Sequence, residues 1–171
     1  MLMLAAAGLT ETLANAAKPW ADLYSDSKAI SAGVLFLHLA PLVFGAGAAY
    51  SMDRATISAV RASGAERAQH LRLLSTTHRI VVAGLALSVI SGVLLFLADV
   101  ETFMGSIFYW VKISLVVVLL ANGYLMTRTE SALAKSPDDA ALWGRLRTLA
   151  IVSAVLWLAT TLAGVVLAQY A

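Results

Sequence analysis

Hydrophobic residues dominate four long windows of the chain, and polar residues dominate the segments between them. The windows cover residues 29–50, 80–98, 107–126 and 149–169. About 20 mostly apolar residues are enough for a helix to cross a bilayer, so each window predicts one membrane-spanning helix. The pattern therefore predicts an all-α fold, a polytopic membrane protein built as a four-transmembrane-helix bundle.

The first 28 residues form a segment of their own before the four-helix transmembrane domain at 29–171. Apolar residues recur at helical spacing from Leu2 to Leu13, and Pro19 follows. The basic residues that open a signal peptide are missing. We predict an amphipathic helix that lies on the extracytoplasmic membrane surface and ends near Pro19.

Positive charge is concentrated in two of the polar segments. Residues 51–79 hold five arginines and residues 127–147 hold four lysines and arginines, whereas the connection 99–106 is acidic. An excess of Lys and Arg marks the cytoplasmic side of a membrane protein. Both basic segments are therefore expected inside and both termini outside, in a multi-pass protein of a bacterial inner membrane.

The basic segments have the composition of helices that extend beyond the membrane. Gly64 is expected to separate the extension of the first span from the next helix. The run from Ser136 to Asp139 has the pattern of a helix start, with Ser136 as the N-cap and Pro137 at the first position. The fourth helix is thus expected to begin well before it enters the membrane.

Composition agrees with a membrane protein and narrows the chemistry. The 171 residues are 60% hydrophobic and 13% charged, with a mean hydropathy of +0.83; soluble domains are about 45–50% apolar and about 25% charged. Cysteine is absent, which excludes disulfides, cysteine-held iron–sulfur clusters and thiolate zinc sites.

Two ionisable residues lie inside predicted spans, His38 in the first and Lys112 in the third. Such side chains cost about 2.5–3.5 kcal/mol on insertion scales and usually face the bundle interior. At about 1.5 Å per residue, both lie in the outer half at nearly the same depth. Ser91 and Thr160 on the returning spans add hydroxyls there. These four residues form the candidate cofactor site, in which Lys112 is the candidate catalytic residue and His38 the candidate metal ligand.

Each of the two ionisable residues also has a purely structural interpretation. A neutral His38 can hydrogen-bond to a backbone carbonyl, and Pro41 frees the carbonyl of Leu37 because it has no N–H to donate. Lys112 can extend its ammonium to the outer interface.

The other two histidines are poor partners for His38. His78 lies at the cytoplasmic entrance of the second span, about 18 Å from His38 in depth, so the two cannot ligate one haem iron. His70 lies in the basic segment and is expected to be an exposed helical residue. Copper would suit His38 with Met or carboxylate partners, but Met52 and Met104 belong to opposite ends of the bundle.

Three short motifs resemble a known superfamily. They are "HLAPLVFGAGAAYSMDR", which begins at His38, "HLRLLSTTHRIVVAGLALSVISGVLLF", and Trp110-Val111-Lys112. Together they resemble the four-helix membrane proteins around CopD and the HemJ-type protoporphyrinogen oxidases, over roughly residues 29–126. The resemblance implies a haem- or porphyrin-linked role for the helix-one histidine and the helix-three lysine, here His38 and Lys112.

We therefore expect a haem- or tetrapyrrole-linked redox role at the outer-half site, in electron transfer or porphyrin oxidation, with b-type haem as the favoured cofactor. Whether the chain is an enzyme is left open. The alternatives are a non-catalytic accessory or assembly subunit of a larger membrane complex, and CopD-like copper handling. The expected partners are the lipid bilayer and either a larger complex or further copies of the chain, without nucleic acid.

Overall fold

The computed structural model describes the backbone of residues 2–62 and 64–170, with side chains from residue 8 onward, and the described part is helical without strands. Its helices are α1 (Leu2–Asp26), α2 (Lys28–Ala59), α3 (Gly64–Ala98), α4 (Val100–Gly105), α5 (Ile107–Leu133) and α6 (Ala140–Tyr170). Helices α2, α3, α5 and α6 are each long and apolar enough to cross a membrane. This confirms the predicted four-helix membrane fold.

The four long helices extend beyond the hydrophobic windows of the sequence. α2, α3 and α6 contain 32, 35 and 31 residues, which at 1.5 Å per residue is roughly 46–53 Å, against a hydrocarbon core of about 30 Å. Large apolar side chains such as Phe36 and Phe44 are exposed along them, as expected for a surface that faces lipid.

The bundle consists of two antiparallel helix pairs. α2 packs along α3, α5 packs along α6, and α2 joins the pairs by packing on α6, whereas α3 and α5 make few contacts. We call the end where α2 and α5 begin the terminal end, and the end that holds the connections α2–α3 and α5–α6 the loop end. The side of the bundle between α3 and α5 is consequently the least tightly closed.

The main apolar core lies at the loop end, and most of its residues lie outside the four hydrophobic windows of the sequence. Trp143 is fully buried there, packed with Leu74, Leu133 and Leu146. Its indole Nε1 donates to the carbonyl of Pro137 at 2.8 Å, and the Arg67 guanidinium lies 5.1 Å from the ring centre. The α5–α6 and α2–α3 connections are therefore packed on this apolar core.

The N-terminal helix differs from the prediction, because α1 does not end near Pro19. It continues to Asp26, and Ser27 then caps α2 by accepting the N–H of Ile30. α1 packs against α3 and α4, and Trp20 donates its indole N–H to the carbonyl of Leu94 at 2.8 Å. Pro19 has no backbone N–H to donate within α1. The tertiary contact of Trp20, directly after it, stabilises the helix at this point.

α3 begins at Gly64, as expected.

The prediction that Ser136 caps the fourth spanning helix is wrong, because α6 begins at Ala140. The carboxylate of Asp139 accepts the N–H groups of Ala141 and Leu142 at 2.9 and 3.1 Å. Ser136 instead accepts the N–H of Asp139 in the turn before the helix. A carboxylate at the N-cap also interacts favourably with the helix dipole.

Candidate functional site

The imidazole of His38 joins α2 to α3 near the terminal end. Its Nδ1 lies 2.9 Å from the backbone oxygen of Ser88 and 3.2 Å from the hydroxyl of Ser91. A carbonyl oxygen can only accept, so Nδ1 carries the proton and donates it to Ser88. In the neutral ring, Nε2 then holds the free lone pair, and it has no hydrogen-bond partner among residues 2–62 and 64–170.

Two serines of α3 return hydrogen bonds to the backbone of α2. The Ser88 hydroxyl donates to the His38 carbonyl at 3.2 Å, and the Ser91 hydroxyl lies 3.3 Å from the Leu37 oxygen. Pro41 leaves the Leu37 carbonyl without its helical donor, as the sequence indicates. His38 does bond to a backbone carbonyl, as its structural interpretation predicts, but the acceptor is Ser88 of α3 rather than Leu37.

Two glycines of α3 permit this close approach. A Cβ at Gly84 would lie 3.0 Å from the backbone oxygen of Pro41, and a Cβ at Gly92 would lie 3.2 Å from Cε1 of His38. The His38 ring therefore occupies the space that a side chain at position 92 would need.

Lys112 lies against α6 within the bundle. A Cβ at Gly164 would lie 3.5 Å from its Nζ, and Gly164 is six residues, or about 9 Å, before the last residue of α6, Tyr170. No Asp or Glu of the described residues lies within ion-pair distance of this ammonium. The structure thus places the Lys112 ammonium against α6, and its extension to the outer interface stays the alternative prediction.

Thr160 faces the same side of α6 as Gly164, one helical turn away. It is 4% exposed, and its hydroxyl oxygen has no hydrogen-bond partner in the described part of the chain. The His38 and Lys112 side chains share no hydrogen bond among the described residues. The structure thus brings His38 together with Ser91, and it places the Lys112 ammonium of α5 beside the face of α6 that carries Thr160 and Gly164. A role of the four residues in binding stays a prediction.

A second polar cluster, which the sequence analysis missed, lies toward the loop end. His78 of α3 pairs with Glu130 of α5, Nδ1 to Oε1 at 3.1 Å. Asp53 of α2 is 3% exposed and its Oδ2 has no hydrogen-bond partner among the described residues. The Ser153 hydroxyl of α6 faces the Asp53 carboxylate. All four spanning helices therefore contribute to this cluster.

Asp53 and Glu130 were overlooked because both lie just beyond the hydrophobic windows, in segments whose excess of Arg and Lys predicts exposure. One signal was available in the sequence. Ala49, Asp53 and Thr56 are spaced four and three residues apart and are all buried on one face of α2. Asp53 is therefore an acidic residue on the buried face of α2, in a segment where Arg is the more frequent charged residue.

His70 is buried, which contradicts the expectation of an exposed helical residue. It is 8% exposed, and its Nε2 lies 2.9 Å from the Thr56 hydroxyl. Its ring centre is 6.4 Å from that of Trp143. The expectation failed because the extension of α2 packs antiparallel on the start of α3 and covers this residue.

The histidines remain separate in the structure. His38 contacts α3 at Ser88 and Ser91, at least ten residues from His78, which corresponds to about 15 Å along the helix. This agrees with the conclusion that the two cannot ligate one iron. Among residues 2–62 and 64–170, no three His, Asp or Glu side chains are grouped so that they could hold a metal ion. Copper would therefore have His38 as its one histidine ligand near the terminal end.

The four spanning helices define a multi-pass helical membrane protein. No protein-family model, curated protein or solved structure matches the chain. The resemblance to CopD and HemJ-type proteins rests on the short motifs alone and stays a prediction.

Proposed function

We propose that the site near the terminal end binds a redox-active tetrapyrrole, b-type haem, whose iron Nε2 of His38 would hold. The observation that carries this proposal is the hydrogen bond from Nδ1 of His38 to the Ser88 carbonyl. Histidines that bind metals almost always donate their other ring N–H to a carbonyl or carboxylate, which fixes the tautomer and the ring orientation. His38 has this arrangement before any ligand is added.

Lys112 supports the same proposal through its charge. Its half-buried ammonium lies beside Gly164 of α6 without a carboxylate partner among the described residues, and an unpaired charge within a membrane span is unfavourable. A propionate of a tetrapyrrole would supply the missing anion, and the unpartnered Thr160 hydroxyl would donate to it. The bound iron would supply a one-electron change; in porphyrin oxidation, Lys112 would also be the residue that holds or releases a proton, at Nζ.

The experiment is an absorption spectrum of the chain purified in mild detergent from haem-supplied bacterial cells. We expect a Soret band in the wild type and its loss in His38→Gly. Added imidazole should restore the band in this variant, because a free imidazole can enter the space left by the side chain and bind the iron. His70→Gln is the matched control, since it removes a histidine that hydrogen-bonds Thr56, and it should keep the band.

A wild type that stays colourless after incubation with haemin, or a band that His38→Gly leaves unchanged, would contradict the proposal. A colourless chain that retains one copper per molecule would favour CopD-like copper handling instead. A colourless, metal-free chain that co-purifies with a larger assembly would favour the accessory or assembly subunit.

We further propose the location and orientation of the chain: a bacterial inner membrane, with the loop end in the cytoplasm and both termini outside. The support is the clustering of Arg and Lys in the two connections at the loop end. In this orientation the His38 site lies in the outer half of the membrane.

A further inference from the structure

A cleft of about 210 Å³ opens toward the loop end between α3 and α5. Its walls are mainly apolar and come from all four spanning helices; they include Ala49, Val81, Leu85, Leu119, Gly123 and Trp157. Since α3 and α5 are the least tightly packed neighbours of the bundle, the cleft opens on the side of the bundle that faces lipid. An apolar molecule can therefore reach it from within the membrane.

One wall of this apolar cleft carries a carboxylate whose charge is not balanced. Asp53 and His78 both line the cleft. His78 forms its ion pair with Glu130, so these two charges offset each other. Asp53 has the Ser153 hydroxyl as its neighbour on α6, and no Lys, Arg or His lies within ion-pair distance of it in the described part of the chain. Asp53 is thus the carboxylate of this cluster without an ion-pair partner in the described part of the chain.

The Asp53 carboxylate is also incompletely hydrogen-bonded. Its Oδ2 is buried without a partner among residues 2–62 and 64–170, and leaving a buried charge unpaired is strongly unfavourable. A ligand that brings a positive charge with N–H donors would satisfy both the charge and the oxygen. This site is independent of the one at His38, which lies fifteen residues earlier on α2, or about 22 Å away along the helix.

We propose that the cleft binds a small amphiphilic organic cation, a primary ammonium on a short hydrocarbon chain that partitions into the membrane. The ammonium pairs with Asp53, and the chain lies along the apolar walls between α3 and α5. A hard metal cation does not fit, because it needs about six or more oxygen ligands and the walls are apolar. The volume fits the proposed ligand, since an apolar cavity of about 150 Å³ accommodates benzene.

The test is calorimetric titration of the full chain in detergent micelles with hexylammonium chloride, and with 1-hexanol as the uncharged analogue of equal length. We expect saturable binding of hexylammonium with a stoichiometry of one, and binding of hexanol about tenfold weaker or less. Asp53→Asn should weaken hexylammonium binding about tenfold or more, because the amide keeps the shape but not the charge. Asp138→Asn, the same change at an exposed aspartate of the loop end, should leave it unchanged.

A second variant tests the cleft without touching the charge. Gly123 lines the cleft, and a Cβ at this position would have no atom within 4 Å, so Gly123→Leu adds its first side-chain atom in open space and narrows the cleft. It should abolish binding, whereas Gly47→Leu, at an exposed glycine with equally open surroundings, should not. Equal affinity for the ammonium and the alcohol, or full binding by Asp53→Asn or by Gly123→Leu, would overturn the proposal.

Discussion

The ionisable side chains inside the bundle differ in how far neighbouring groups compensate for the loss of water. His38 donates to a backbone carbonyl of the neighbouring helix, and His78 and Glu130 neutralise each other at 3.1 Å. Lys112 and Asp53 have no such partner among the described residues. Because an uncompensated charge in an apolar environment is unfavourable, these two residues are the positions where a ligand would contribute most.

Lys112→Met tests the first of these positions. The substitution keeps an unbranched apolar side chain beside Gly164 and removes only the charge. A hydrogen bond to a charged group contributes about 1.5–3 kcal/mol, so haemin should bind about tenfold to a hundredfold more weakly. The helical content and thermal midpoint by circular dichroism should remain those of the wild type.

Lys135→Met provides the control, because it removes an exposed lysine from the turn that follows α5. If Lys112→Met bound haemin as tightly as Lys135→Met, then Lys112 would be a packing and anchoring residue rather than a ligand contact.

The interface between α2 and α3 depends on the absence of side chains at particular positions of each helix. Gly84 faces the backbone of α2 so closely that an added Cβ would lie 3.0 Å from the Pro41 oxygen and 3.7 Å from the Cα of Gly45. Backbone atoms cannot rotate away as a flexible side chain can. Close helix contact through small residues is typical of membrane bundles, and here the same interface holds the His38 ring.

Gly84→Ala should therefore destabilise the bundle. Overpacking of a close interface costs about 1–3 kcal/mol, which exceeds the gain of up to about 1 kcal/mol that alanine provides over glycine in a helix. Denaturant unfolding in mild detergent, followed by circular dichroism, would measure the difference. Gly47→Ala is the control, since nothing lies within 4 Å of its added Cβ; equal stability of the two variants would contradict the close packing of α2 on α3.

The elements differ in how far the sequence alone could predict them. The four spans were predictable because a long apolar window is sufficient for a membrane helix whatever surrounds it. The continuation of α1 through Pro19 was not, since it depends on Trp20 reaching the carbonyl of Leu94, 74 residues away in the chain. The burial of His70 likewise depends on tertiary packing, through the antiparallel fit of α2 and α3.

The candidate sites show the same division. The depth of His38 and of Ser91 follows from residue counting along straight helices, and the structure does bring these two together at 3.2 Å. The cluster of Asp53, His78 and Glu130 combines residues from three helices, each of which looks unremarkable in its own charged segment. Only the packing of the bundle reveals that Asp53 and His78 line one apolar cleft and that Glu130 pairs with His78.

At the scale of the whole molecule, charge and packing divide the bundle into two ends. The loop end contains the main apolar core and the basic connections, while α1 and α4 pack at the terminal end. The two candidate sites lie at different depths between these ends. If the loop end is cytoplasmic, the cation cleft lies toward the cytoplasm and the His38 site toward the opposite surface.

Reporter fusions test this orientation. Alkaline phosphatase is active only outside the cytoplasm, and green fluorescent protein becomes fluorescent only inside when exported by the general secretory route. We expect phosphatase activity from a fusion after Tyr170, and fluorescence from an insertion in the exposed turn at Ser136. The positive-inside rule gives the physical reason. A fluorescent fusion at Tyr170 would reverse the proposed orientation of both sites.

His38 is held through Nδ1, which leaves Nε2 available to a ligand, and the proposed site depends on this arrangement. Nitrogen-15 NMR of histidine-labelled protein in detergent measures this directly, with His38 assigned by its disappearance in His38→Gln. For the neutral ring we predict a protonated Nδ1 and an unprotonated Nε2, because the Ser88 oxygen at 2.9 Å can only accept. A neutral His38 ring protonated at Nε2 would contradict the hydrogen bond to Ser88 and remove the basis for ligand binding at this residue.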